Sequence, residues 1–311
     1  MEKGSAARHV VVTGGSGFIG THLVKSLQRK NAVVTIVDRN QPRVEGVDHF
    51  VRGAIEDRST WDSLDDELPN GADILVHLAA RTSVLESIKD PADVFASNLV
   101  GFHNALEFCR RHGVQRVILA STNAVVGLSG GTELITELSP LAPLTPYGAS
   151  KAADEMLGSA YTECYGVRVA AVRLTNVYGP DMWRKDSIVP RLFRHAQGQG
   201  EFVIYGDGDQ FRDFVYVEDV VRAFLSLAEG ELAGPVSFGS GESVSVNELV
   251  ALVSQVVGKE LHPSHVPPKA GEMPGVRVSL ERARIAGLKA DVDLREGLDR
   301  AWRDFLASGS H

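Results

Sequence analysis

An α/β fold is what this sequence predicts, with a parallel sheet wound on both faces and a smaller C-terminal α/β lobe. Three observations carry it. Apolar strand runs and helix-spaced segments alternate through the first half, a βαβ rhythm that needs a parallel sheet covered by helices. A glycine turn, Thr13-Gly14-Gly15-Ser16-Gly17-Phe18-Ile19-Gly20, joins the first strand to the first helix. After Arg173 the rhythm gives way to loops rich in Gly, Asp and Pro.

The elements follow in order. His9–Val12 is an apolar strand, and Phe18–Gln28 has helical spacing. Ala32–Val37 is a buried strand run that ends at Asp38. Further strands are expected at His49–Arg52, Asp73–His77, Gln115–Ala120 and Arg168–Arg173. Helices are expected at Ser59–Asp66, Ala92–Arg111 and Ser150–Tyr165. This is a doubly wound Rossmann sheet, whose ligands sit at the carboxyl ends of the strands. Residues 1–173, with a return of the chain at about 214–240, form the expected nucleotide-binding domain. Segments 174–213 and 241–311 form the expected second lobe.

The chain has 311 residues, enough for two lobes. A net charge of −8 argues against a nucleic-acid partner, which needs a basic face. No 18-residue apolar run occurs, so no membrane span is expected, and the short polar start gives no sign of a secretory signal. A cytoplasmic location follows as the default. Cys109 and Cys164 both sit in apolar helical patterns and read as buried thiols. No metal site is expected.

The glycine turn follows a strand and opens a helix, the context a dinucleotide motif requires. Its spacing is Gly14-x-x-Gly17-x-x-Gly20. Glycines let the backbone approach a pyrophosphate, and the helix N-terminus offers free N–H groups. Asp38 can accept hydrogen bonds from an adenosine ribose and would repel a 2′-phosphate, which favours NAD over NADP. It can equally be a strand-end turn residue, and Arg39 beside it leaves room for NADP.

Tyr147 and Lys151 lie one helical turn apart. A phenol titrates near ~10, so Tyr147 serves as a base only if cations favour its phenolate. Lys151 and an oxidised nicotinamide both do so, and Lys151 can also reach the nicotinamide ribose. Ser121 and Thr122 follow a strand, where a hydroxyl can relay a proton to a sugar oxygen or simply cap the strand end.

These residues bring the chain to a family. It resembles the extended short-chain dehydrogenase/reductases, and within them the nucleotide-sugar 4-epimerases. The anchors are Gly14 to Gly20, His77-Leu78-Ala79-Ala80, Asn98, Ser121 to Gly127, Tyr147 to Lys151, Arg173 to Pro180 and Gly206 to Val220. The resemblance implies that Tyr147 is the base, with Lys151 and Thr122 assisting. It implies NAD contacts from Phe18, Ile19, Ala54, Ile55, Leu78, Ala79, Ala80, Asn98 and Ser121. Asn176, Arg212 and Lys269 would meet the substrate diphosphate, Glu272 the uridine ribose, and Val203 and Tyr205 the region of the uracil. The bland reading of Arg212 is an ion pair with Asp213 or Glu218. A homodimer through the helices Ala92–Arg111 and Ser150–Tyr165 is also implied.

Departures from the family pattern sharpen the expectation. Ala54 stands where an aspartate often meets the adenine, and Asp57 is its nearest substitute. Thr175 replaces an aromatic, and Lys269 is a point charge in place of an arginine fork. Related 4,6-dehydratases carry Asp-Glu where this chain has Asn123-Ala124, and related decarboxylases carry a Glu at the second position. Asn and Ala cannot transfer protons, so the expectation is C4 epimerisation of a UDP-sugar. Val276 falls where some epimerases have a bulky gate beside the sugar, so an N-acetyl group would be admitted. Arg184, Lys185 or Arg191 can pair a C6 carboxylate, which makes UDP-glucuronate a candidate, or they belong to a solvated loop. A dehydratase or reductase of the same fold, and a non-catalytic NAD sensor, are the rival readings.

Overall fold

The computed structural model describes residues 8–127, 134–267, 275 and 277–308. In chain order its strands are β1 (His9–Thr13), β2 (Val33–Asp38), β3 (His49–Arg52), β4 (Ile74–His77), β5 (Arg116–Thr122), β6 (Arg168–Leu174), β7 (Asn176–Tyr178), β8 (Val203–Tyr205), β9 (Phe211–Tyr216), β10 (Gly234–Phe238), β11 (Ser243–Ser245) and β12 (Ser264–Val266). The chain divides into two compact units. One comprises Met1–Gly127, Pro140–Arg173 and Val221–Val236; the other comprises Leu128–Ser139, Leu174–Val220 and Ser237–His311.

The first unit is built on a seven-stranded sheet in the order β10-β6-β5-β4-β1-β2-β3. β1 pairs in parallel with β2 and β4, β2 with β3, and β4 with β5. Its strands are apolar along their length, as a sheet covered on both faces requires. Val11, Leu75, Val117 and Leu119 are fully buried in a core with Trp61, Phe102 and Phe108. Trp61 satisfies its indole by donating to the Ile55 carbonyl at 2.7 Å, so a large apolar ring is buried without an orphaned donor.

Helices α1 (Phe18–Arg29), α2 (Arg58–Glu67), α3 (Val84–Lys89), α4 (Pro91–Phe95), α5 (Gly101–His112) and α6 (Pro146–Tyr165) serve this unit. The sequence predicts one helix over Ala92–Arg111, and the chain is helical throughout that span, with a change of register inside it. Asp90 caps α4 by accepting from the Asp93 N–H at 3.1 Å. A π-helical turn over Ala96–Val100 then connects α4 to α5. Apolar periodicity cannot report one additional residue in a turn. Asn98 occupies that turn and is completely buried. Gly113 and Gly166 end α5 and α6 at φ 68° and 70°, the left-handed position that glycine adopts without strain.

The second unit carries a three-stranded sheet, β11-β9-β7, and a two-stranded one, β12-β8. An aromatic cluster of Phe193, Trp302 and Phe305 packs the C-terminal helix Leu294–Ser308. Cys109 is buried, as expected, but Cys164 is exposed. It lies close to the end of α6, where the apolar spacing gives way to solvent. Among the described residues no helix is long and apolar enough to cross a membrane, and no His, Cys, Asp and Glu group could hold a metal ion.

Candidate active site

The glycine turn closes β1 and starts α1. Gly14 has φ +73°, and a Cβ there would lie 2.6 Å from the Ala79 nitrogen, so a side chain is excluded twice over. A Cβ on Gly20 would lie 2.2 Å from the Gly14 carbonyl oxygen. Gly17 is the N-cap of α1, and no side chain caps it. No side chain therefore stands over the positive end of the helix dipole, where an anion is favoured. Beside the turn lies a cleft of about 240 Å³, lined in part by Gly14, Gly17, Asp38, Arg39, Ile55 and Leu78 to Ala80. A pyrophosphate and its adenosine ribose fit this donor set.

Asp38 is held in place at the end of β2. It accepts from the Ser16 N–H at 3.0 Å and the Asn40 N–H at 2.9 Å. Arg39 forms an ion pair with Glu56, so a 2′-phosphate would have to displace a carboxylate to engage it. The Ala54 carbonyl accepts from the Asp57 N–H at 3.1 Å. Asp57 is the exposed N-cap of α2 and makes no side-chain cap bond. Phe18 turns its ring edge to His22, and Ile19 is half-buried in the first turn of α1.

Tyr147 and Lys151 both lie on α6, which starts four residues earlier than the sequence predicts. Pro146 begins it, and Thr145 caps it by accepting from the Gly148 N–H at 3.2 Å. A Cβ on Gly148 would meet the Ala124 carbonyl at 2.6 Å, so the glycine lets the helix start close against the turn Asn123–Val125. Thr122, the last residue of β5, hydrogen-bonds the Tyr147 hydroxyl, which favours the phenolate. The ring is half-buried, yet burial of the hydroxyl dominates and pushes the phenol up to about 12. The expected lowering by Lys151 is not seen. Lys151 is 2% exposed and ion-paired at 3.2 Å to Asp154, whose side chain is fully buried.

A polar network supports this face. Ser121 donates to Glu155 at 2.5 Å, and Arg173 grips Glu155 with bonds of 2.8 and 3.0 Å. The Ser121 hydroxyl is thus engaged by protein. Asn98 donates to Ser150 at 2.9 Å and to the Arg81 carbonyl at 3.1 Å, and accepts from the Arg81 N–H at 2.7 Å. Its side chain braces the loop after β4 and the helix of Lys151. His77, fully buried, shares a 2.9 Å bond with Thr13, and burial holds its imidazole well below the ordinary value. Sequence reasoning missed Asp154 and Glu155. Their signal was the helical spacing Lys151-Ala152-Ala153-Asp154-Glu155, which turns two acids under the lysine.

In the second unit the expected substrate residues lie on short strands and one loop. Asn176 in β7 donates to the Asp213 carbonyl at 3.0 Å. Arg212 in β9 donates to the Phe211 carbonyl at 2.8 Å. Asp213 instead accepts from Thr175, from the Ser240 N–H and hydroxyl, and from the Gly241 N–H. Val203 and Tyr205 share one face of β8, with Ile204 buried on the other. Arg184 stacks over Trp183 at 4.3 Å, Arg191 pairs with Asp186 at 3.0 Å, and burial lowers the Lys185 ammonium. Lys269, Glu272 and Val276 lie outside the described residues.

Comparison with known proteins gives the family. A family model described as NAD dependent epimerase/dehydratase matches residues 10–237. A putative UDP-glucose 4-epimerase of Methanocaldococcus jannaschii is 31% identical, covering 94% of this chain and 96% of that protein. UDP-glucose 4-epimerase of Thermotoga maritima, solved with UDP-glucose, superposes with a TM-score of 0.90 at 30% identity, covering 97% of this chain and 100% of that one. MoeE5, solved with UDP-glucuronic acid and NAD, does so at 0.88 and 32%, covering 96% and 99%. A dTDP-glucose 4,6-dehydratase of Streptomyces griseus is 31% identical, covering 93% of this chain and 92% of that protein.

Proposed function

We propose a function from one premise: this chain belongs to the NAD dependent epimerase/dehydratase family. It is an NAD-dependent enzyme of nucleotide sugars. We infer that it is a 4-epimerase of a UDP-sugar, with NAD held by the first unit and the UDP-sugar bound by residues of the second. The observation that carries this reading is Tyr147 hydrogen-bonded to Thr122, beside a turn formed by Asn123, Ala124 and Val125. The site has a proton-transferring phenol, and no acid stands on that turn for elimination.

Bound NAD supplies an acceptor, and later a donor, for the two electrons and hydrogen at the sugar's C4. The chain's own residues do the rest. Tyr147 takes the proton of the sugar's O4, directly or through Thr122, and returns it when the opposite face is presented. The N-terminus of α1, which no side chain caps, would hold the cofactor pyrophosphate, and Asp38, positioned by Ser16, would hold the adenosine ribose. Arg212, Asn176, Lys269 and Glu272 hold UDP, and Val203 and Tyr205 flank the uracil, leaving the sugar free to turn. Arg184 and Arg191 favour UDP-glucuronate over a neutral sugar, which Asp186 moderates by pairing with Arg191. Exposed Phe95, Val100 and Met156 support a homodimer through the helices Ala92–Arg111 and Ser150–Tyr165. The reading includes a cytoplasmic location, which the two free cysteines support.

Incubating the NAD-loaded protein in heavy water with UDP-glucose, UDP-glucuronate and UDP-N-acetylglucosamine tests the reaction. NMR should show one pair of C4 epimers interconverting, with no deuterium entering the sugar carbons. Loss of water with deuterium on the carbon skeleton would establish a dehydratase instead.

A further inference from the structure

Asp154 is a buried acid that the mechanism above does not use. It sits one turn beyond Lys151 on α6, and its Oδ2 lies 3.2 Å from the Lys151 ammonium. Its Oδ1 is buried without a hydrogen-bond partner. Neither side chain is screened by water, being 0% and 2% exposed, so their charges act on neighbours at short range. Tyr147 lies one turn before Lys151 on the same helix, and the Asp154 charge acts on its phenol. A carboxylate so placed opposes the cation that should favour a phenolate.

Other groups face this cluster from outside α6. His77 of β4 feels the Lys151 charge and is kept neutral by burial. Arg173 of β6 is committed to Glu155, as is Ser121 of β5. Thr122 of β5 bonds the phenol itself. Of these, Asp154 is the one bonded directly to the ammonium.

We propose that Asp154 is a positioning residue, a counter-charge that aims the Lys151 ammonium and sets how much of its field reaches Tyr147. This rests on the reading of Tyr147 as the acid/base group. Burial, opposed by Lys151, pushes the Asp154 carboxyl up to about 6 from 3.8. As pH rises through that value the carboxyl loses its proton, cancels part of the lysine charge, and makes the phenol harder to ionise. As pH falls through it, the carboxyl becomes neutral and the full ammonium field acts on the phenol. The enzyme thus carries a built-in gauge of pH next to its base.

The test uses the full chain labelled with carbon-13 at the tyrosine hydroxyl-bearing carbon, with Tyr147→Phe to assign the resonance. In the unvaried protein the Tyr147 signal should show a step near pH 6, where Asp154 titrates. In Asp154→Asn the step should vanish, and phenolate should form at a pH lower by about one unit or more. A Tyr147 signal flat through that range in the unvaried protein overturns the proposal, whether or not the variant folds. So does an Asp154→Asn that lowers the melting temperature while leaving phenol ionisation unmoved, since that is a structural role alone. The readout needs no sugar. A step in a protein that turns over no UDP-sugar would sink the epimerase reading and leave the electrostatic link standing. A missing step in an active epimerase would sink the link alone.

Discussion

The two units hold their expected functional residues in opposite ways. In the first, Lys151, Asn98 and Ser121 are buried and held by buried partners, Lys151 by Asp154, Asn98 by Ser150 and Ser121 by Glu155, and Gly14 and Gly20 fit only as glycine. In the second, Asn176 and Arg191 are exposed, Arg184 rests on a tryptophan ring, and Arg212 bonds the carbonyl of its neighbour. On the proposed reading the difference follows the chemistry. Proton transfer tolerates little misplacement, so the groups assigned to it would be braced by packing. A sugar that has to rotate would need a gentler hold, and the second unit offers strand edges and loop cations.

The comparison breaks most sharply at the phenol. Tyr147→Phe should cut turnover by about 100- to 10,000-fold while NAD stays bound, as read by progress curves and by cofactor content after gel filtration. Unchanged turnover would remove Tyr147 from the chemistry.

The bracing itself is tested by Glu155→Ala, which strands the Arg173 guanidinium in the interior. A loss of about 3–5 kcal/mol in denaturant unfolding is expected. A loss below about 1 kcal/mol would mean that the first unit is no more tightly built than an ordinary surface.

On the other side, Arg212→Ala should raise KM for a UDP-sugar roughly tenfold or more, about 1.5–3 kcal/mol of charge-assisted binding. Its stability should move by no more than about 1 kcal/mol. If it unfolds instead, the residue belongs to the frame. The smallest effect is expected of Arg184→Ala, which should leave stability within about 0.5 kcal/mol and weaken only the preference for a uronate. An unaltered ratio of uronate to neutral-sugar turnover would take Arg184 out of substrate choice.

How much of this was legible in the chain follows the same divide. Backbone demands are local, so the turn from Gly14 to Gly20 and the strand-ending Asp38 could be read directly from spacing. Tyr147 and Lys151 were legible because a helix turn fixes their relation. What the spacing hid was three-dimensional pairing. Nothing local indicates that Glu56 would engage Arg39, or that Ser121 would be spent on Glu155. The change of register in the helix at Ala96–Val100 was hidden because its apolar rhythm survives the extra residue. The burial of Cys164 was overestimated because amphipathic spacing says which face turns inward, and not where a helix runs out of partner.

That π-helical turn has a consequence for inheritance. A π-helical turn absorbs one additional residue, so deleting one from Ala96–Val100 would iron out the bulge and pull the turn that carries Asn98 back into line with α4 and α5. Asn98 would be unhooked from Arg81 and from Ser150, the immediate neighbour of Lys151. The length of this turn is a locked dimension, and a single lost codon there would be felt at the helix that carries Lys151.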